Sequence, residues 1–258
     1  MLILLAAAVA AAVPAAAPPP PSAPPVSQAE HSARGATCAE LANRDPAAAE
    51  AEARAWMATN GGMAARQCLG IAQSGLEQWA ASATTFEAAA KEAQIARDPM
   101  AVVLWMQAGN AALAGDEAVR ARGDFDRALA LPGLSKEMQG EVHIDRARAA
   151  VALGDVAAAR ADLDQATILV PRDPLGWLLR ANLARKAKDM ATAFAAIREA
   201  AKLAPGDASI AYEAGNIAAA SGNMEDAKAA WTRAAQTAPD SPAGQAAALA
   251  LKGENGSK

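Results

Sequence analysis

Three prolines, Pro171, Pro205 and Pro239, are evenly spaced along the second half of the chain. Ahead of each lies the same triplet of small or apolar residues at i, i+4 and i+7: Ala159, Leu163 and Ala166; Ala193, Ile197 and Ala200; Ala227, Trp231 and Ala234. That spacing marks one face of a helix. A helical face that returns at an interval of about 34 residues calls for a stacked array of helix pairs, not a closed globular domain. Composition agrees, since the chain is 53% hydrophobic but only 3% aromatic, and alanine supplies much of the apolar share. Alanine is the best helix former and lets helices approach closely. No run of alternating β-branched residues predicts a strand.

The repeat extends towards the N-terminus when two markers are followed together. In the leading helix of each pair the small residue is Gly70, Gly109, Ala147, Ala181 and Gly215; in the trailing helix the bulky residue is Phe86, Phe125, Leu163, Ile197 and Trp231. The two series keep in step throughout. Both run at the proline interval from Ala147 and Leu163 onward and at a wider one before, which predicts five repeats with extra residues in the first two connections. Leu131-Pro132-Gly133-Leu134-Ser135 is one such stretched connection, and Ser135 suits the cap of the helix that follows.

On these residues the array resembles the tetratricopeptide repeats, a helix–turn–helix family with a repeat of about 34 residues. The repeat from Ala208 places Gly215, Gly222-Asn223, Ala227, Trp231, Ala234 and Pro239 at the family's positions; that from Pro174 places Trp177, Ala181, Asp189, Ala193, Ile197, Ala200 and Pro205. The repeat from Gly140 places Ala147, Gly154-Asp155, Ala159, Leu163, Ala166 and Pro171. The unit from Val102 keeps Trp105, Gly109, Ala121, Phe125 and Ala128, but its Gly115-Asp116 and Pro132 fall one residue early. The first unit lacks the proline. The resemblance implies an all-α, right-handed superhelix (an α-solenoid) of about five helix pairs over residues 63–241, with capping helices at the ends.

The flanks read as follows. Leu2 to Val13 is continuously apolar, too short for a comfortable membrane span, and is followed by Ala-x-Ala options, so residues 1–17 resemble a secretory signal peptide without a basic n-region. An uncleaved membrane-anchoring helix or a mispredicted start are the alternatives. Residues 18–36, rich in proline and alanine, are expected to be a disordered leader. Residues 37–62 are expected to form N-terminal capping helices, 242–252 a C-terminal capping helix opened by Ser241-Pro242, and 253–258 a disordered tail. In an exported chain Cys38 and Cys68, the two cysteines present, are expected to pair, closing a loop worth roughly 3–4 kcal/mol.

Chemistry is sparse. The net charge of −4 argues against a partner bound by phosphate neutralisation, so no nucleic acid is expected. Glu141, His143 and Asp145 lie two apart on a helix and cannot converge on one metal ion; His143 occupies the place of Trp105 and Trp177 and is expected to pack. By the same spacing Asp124 with Asp126, and Asp162 with Asp164, fail as acid–base pairs and read as solvated carboxylates. No catalytic set, cofactor or metal is predicted.

What remains is the groove that the resemblance assigns to the leading helices. There one position reads Asn110, Arg148, Asn182 and Asn216, and another reads Met106, Ile144, Leu178 and Tyr212. An amide row beside an apolar row suits an extended peptide. It suits equally well a set of pins holding neighbouring helices in register. Arg185 and Lys186, with Arg148, form a basic spot that predicts a receptor for an acidic side chain or C-terminal carboxylate, or else a solvated face. The expected function is a non-catalytic envelope scaffold binding a protein or peptide. Any membrane contact would come only through an uncleaved N-terminal segment, and self-association stays open. The alternatives are a membrane-tethered structural component and, more remotely, an enzyme or small-ligand receptor.

Overall fold

The computed structural model describes residues 28–255, so the expected export segment and the prolines of 18–25 lie outside the described residues. Among the described residues there are thirteen helices and no strand. α1 (Gln28–Arg44) and α2 (Pro46–Ala58) form an N-terminal cap. Five antiparallel pairs follow: α3 (Gly62–Gly75) with α4 (Trp79–Ala96), α5 (Met100–Ala114) with α6 (Ala118–Leu129), α7 (Lys136–Ala152) with α8 (Val156–Leu169), α9 (Pro174–Lys186) with α10 (Met190–Leu203), and α11 (Ala208–Ala220) with α12 (Met224–Thr237). α13 (Pro242–Asn255) covers the last pair. Both flanks depart from expectation. The first helix already includes Gln28, the first described residue and ahead of the expected Thr37, because Gln28 to Ala36 hold no proline and one tolerated glycine. The final helix likewise runs beyond residue 252, to Asn255.

The punctuation explains the pairs. Asp155, Asp189 and Asn223 each open a trailing helix and accept from the backbone N–H three residues on; Asp173 and Asp207 do the same work for leading helices, accepting from Leu175 and Ser209. Between leading and trailing helix, one residue in every pair is left-handed: Glu77, Asp116, Gly154, Lys188 and Gly222. All five hold the same place in the repeat. The early Gly115-Asp116 therefore shifts only the letters. The backbone keeps its frame, and Asp116 takes the left-handed place at φ 60°.

Inside each pair the small residue of the leading helix lies under the bulky residue of the trailing one. A Cβ built on Gly70 would stand 2.7 Å from the ring of Phe86, and one on Gly109 would stand 2.6 Å from Phe125; Gly215 meets Trp231 in the same way. Where the small residue is Ala147 or Ala181, its partner is the slimmer Leu163 or Ile197. These residues are buried and form a chain of apolar clusters along the array, with no single centre.

Candidate functional site

Across consecutive repeats the leading helix α5 touches α7, α9 touches α11, and α11 touches α13. Trailing helices of consecutive repeats make no comparable contact. Helices that approach each other line the inside of a curve, so the leading helices bound the groove. Their amides are already engaged. Asn110 donates through Nδ2 to Asp145 (2.8 Å), while its Oδ1 accepts from Arg148, which also pairs with Asp145 (3.0 Å). Further along the array, Glu213 accepts from Asn182 (3.1 Å), Asn216 (3.3 Å) and both arms of Arg185 (2.7 and 3.2 Å). The Oδ1 of Asn216 takes the indole N–H of Trp231 (3.0 Å).

These are inter-repeat clasps, in which an amide of one repeat meets a carboxylate of the next. Sequence reasoning missed Asp145 and Glu213, although each stands two residues before the small residue of its leading helix, Ala147 or Gly215. Between the third and fourth repeats the clasp is missing, for Leu179 stands where Asp145 and Glu213 stand in their repeats. The apolar row divides too. Met106, Leu178 and Tyr212 are half-buried, but Ile144 is 3% exposed and belongs to the interior, a correction to its expected place in the groove. Of the expected basic spot, Arg148 and Arg185 are committed to Asp145 and Glu213, and Lys186 stays exposed.

The open space lies elsewhere. A cavity of about 760 Å³ sits between α1 and the starts of α3 and α5. Its wall on α3 includes Ala64, Gln67 and Ile71, its wall on α1 is Gly35, Ala36 and Ala39, and Met63 and Met100 flank it. Asn60, Gln67 and Asp98 supply polar groups, and among the described residues no Lys or Arg lines it. Gln67 donates to Gln107 of the next leading helix (3.2 Å). Cys38 and Cys68 are bonded as a disulfide with Cα atoms 5.8 Å apart, joining α1 to α3, and Cys68 lies in the cavity lining. The pairing of the two cysteines thus follows expectation. The cavity does not, because it needs α1, and the residues from Gln28 to Ala36 carry no apolar periodicity that would place a helix there.

Two carboxylates expected at the solvated surface are buried. Asp124 is fully buried; it accepts from Arg127 (2.9 Å), and its second oxygen has no partner among the described residues. Burial, reinforced by repulsion from Glu87, pushes its carboxyl up to about 6. Asp162, at the same place one repeat later, accepts from Arg146 (2.6 and 3.0 Å) and lies 2.8 Å from Nδ1 of His143. Burial alone would raise it, but the bonds from His143 and Arg146 outweigh that and hold it below the usual carboxylate value. His143 therefore packs as expected, through a polar contact. Position within the repeat is the signal that could have found these two, for the later repeats place buried Ala196 and Ala230 there. Neither aspartate opens onto the cavity.

No protein-family model matches the chain, and no curated protein matches it in sequence. Solved structures do match. A thermophilic tetratricopeptide-repeat protein of Thermus thermophilus aligns at 20% identity over 72% of this chain and 97% of its own, with a TM-score of 0.58. The pilF protein of Pseudomonas aeruginosa aligns at 14% identity over 83% and 96%, with a TM-score of 0.60. YrrB, a tetratricopeptide-repeat protein with an unusual peptide-binding site, aligns at 18% identity over 76% and 96%, with a TM-score of 0.52. The fold is the all-α tetratricopeptide-repeat solenoid.

Proposed function

We propose that the chain is a non-catalytic protein-binding scaffold of the cell envelope, and that it receives an extended partner segment in its groove, starting in the cavity between α1, α3 and α5. The observation that carries this reading is the lining of that cavity. Gln67 and Ile71 are the first unit's counterparts of Met106 and Asn110, groove positions at which the tetratricopeptide resemblance places ligand contacts, and Ala64 lies one turn before Gln67 on α3. Small side chains leave room for a backbone, Gln67 and Asn60 can bond to it, and Met63 and Met100 adapt to apolar side chains. With Asp98 as the sole charge in the lining among the described residues, the cavity favours an uncharged or basic segment over an acidic one.

The likeness to YrrB, itself a protein with a peptide-binding site, supports the same reading. The disulfide suits an oxidising compartment and so an exported chain. Among the described residues no helix is long and apolar enough to cross a membrane. Filling the cavity is the test. Ala64→Trp, compared with the parent chain in affinity capture from the native envelope, is expected to lose the bound protein while keeping its helical circular dichroism. Equal capture by the two chains removes the cavity from consideration.

A second reading, a structural component working through its outer face, draws on the exposed Ile95 (86%), Val119 (69%) and Ile168 (71%) of the trailing helices. Replacing these three by Asp leaves the cavity intact, so loss of partner capture in that variant would favour the outer face.

A further inference from the structure

We propose that the Cys38–Cys68 disulfide is a thiol-exchange site, and that a dithiol reductant reaching it through the cavity releases α1 and opens the end of the groove. The inference rests on the reading of that cavity as the binding site. It starts from how few of the described side chains of α1 are buried. Of its side chains with described burial, only Cys38 and Ala42 are buried, and Leu41 is half-buried against the same cluster. Burial of so little apolar surface stabilises a helix weakly. Among the described side chains of α1, Arg34 pairs with Glu52 (2.8 Å) and stands 4.7 Å over the ring of Trp56; both charged side chains are over two-fifths exposed. Exposed pairs of this kind contribute little.

α3, on the other side of the bond, is held on its own account. Ala65, Leu69, Ala72 and Gln73 are buried, Gln73 accepts from Thr85 (2.7 Å), and the Gly70 carbonyl accepts from Ser82 (2.9 Å). Breaking the bond therefore frees α1 and leaves α3 in place.

The route is equally one-sided. Cys68 borders the cavity and Cys38 does not, although both are buried at 2% exposure, so the attack is made at the cavity floor; among the described residues the facing wall of Gly35, Ala36 and Ala39 carries nothing larger than a methyl group. One thiolate of the reductant attacks Sγ of Cys68; the S–S bond breaks, and Cys38 leaves as a thiolate that takes a proton from water. The second thiolate of the reductant then attacks the reductant's own sulfur in the mixed disulfide and expels Cys68 as a thiolate, which is protonated in turn. The dithiol becomes a cyclic disulfide, and two electrons and two protons pass to the cysteine pair.

The test is hydrogen–deuterium exchange on the full chain, oxidised, treated with dithiothreitol under native conditions, and as the C38A/C68A double variant. Reduction and the double variant are each expected to speed exchange across α1 by roughly tenfold or more, with α3 to α12 unchanged and, in the reduced chain, both thiols open to a maleimide. Unchanged exchange in α1 after reduction overturns the proposal, and so does faster exchange spread through α3 and α4. Ala64→Trp tests the route: it is expected to slow reduction several-fold, and an unaltered rate excludes attack through the cavity. Because no partner is present in these measurements, their outcome is independent of whether the cavity binds one.

Discussion

At the scale of single residues, Asp124 and Asp162 show that one place in the repeat can carry opposite contributions. Asp124 has a folded pKa of about 6, above its unfolded value, so its protonated form favours folding. Its contribution falls as pH rises from about 4 to 6, by about 1.4 kcal/mol per pH unit, and is level above that. Asp124→Ala, which installs the residue found at Ala196 and Ala230, is expected to stabilise the chain at pH 7.5 and to flatten urea-derived stability between pH 4 and 6. Asp162 has the reverse sign: its folded pKa is depressed, so its contribution is full above the unfolded value and is lost as pH falls through the folded one. Glu213 is the other residue on which much depends. It is 4% exposed, and Arg185→Ala would strand its charge, at an expected cost of about 3 kcal/mol. Asn182→Ala removes one of its several donors and is expected to cost about 1 kcal/mol in the same urea titration.

At the scale of helices, the pairing of glycine with aromatic residues sets what each pair tolerates. Gly109→Ala drives a methyl into the buried ring of Phe125 and is expected to lower stability by about 1–3 kcal/mol. Adding Phe125→Leu to that variant recreates the pairing of Ala147 with Leu163 and should restore part of the loss; a double-mutant cycle reads the coupling directly. Lys188→Gly places glycine at a φ of 61° and is expected to raise the melting temperature by an amount equivalent to less than ~1 kcal/mol. These features also show what was legible in the sequence. The repeat, its caps and its small-under-bulky rule announce themselves through spacing, because each rests on contacts inside a single repeat. The engagement of Asn182 by Glu213 and the cavity beside α1 depend on which faces meet across repeats. A helical period fixes which residues share a face, and leaves open which face is covered.

At the scale of the whole molecule, a stacked array holds each repeat by its neighbours, so the ends matter out of proportion to their size. Truncation after Asp240 uncovers α12, where Trp231 is 6% exposed and clusters with Ala247 of α13. Hydrogen exchange is expected to accelerate in α11 and α12 while α5 to α8 keep their protection; a uniform rise would show instead that the array opens as one cooperative unit. The clasps add a constraint of another kind. Asn110 meets Asp145 and Asn182 meets Glu213, but Arg148 faces a repeat with Leu179 at the matching place. The natural module for duplication or shuffling is thus the four-helix block and not the single repeat. A lineage that lengthened this array by copying α9 to α12 together would carry Glu213 with its arginine and its amides. Copying α11 and α12 alone would bury that glutamate without Arg185.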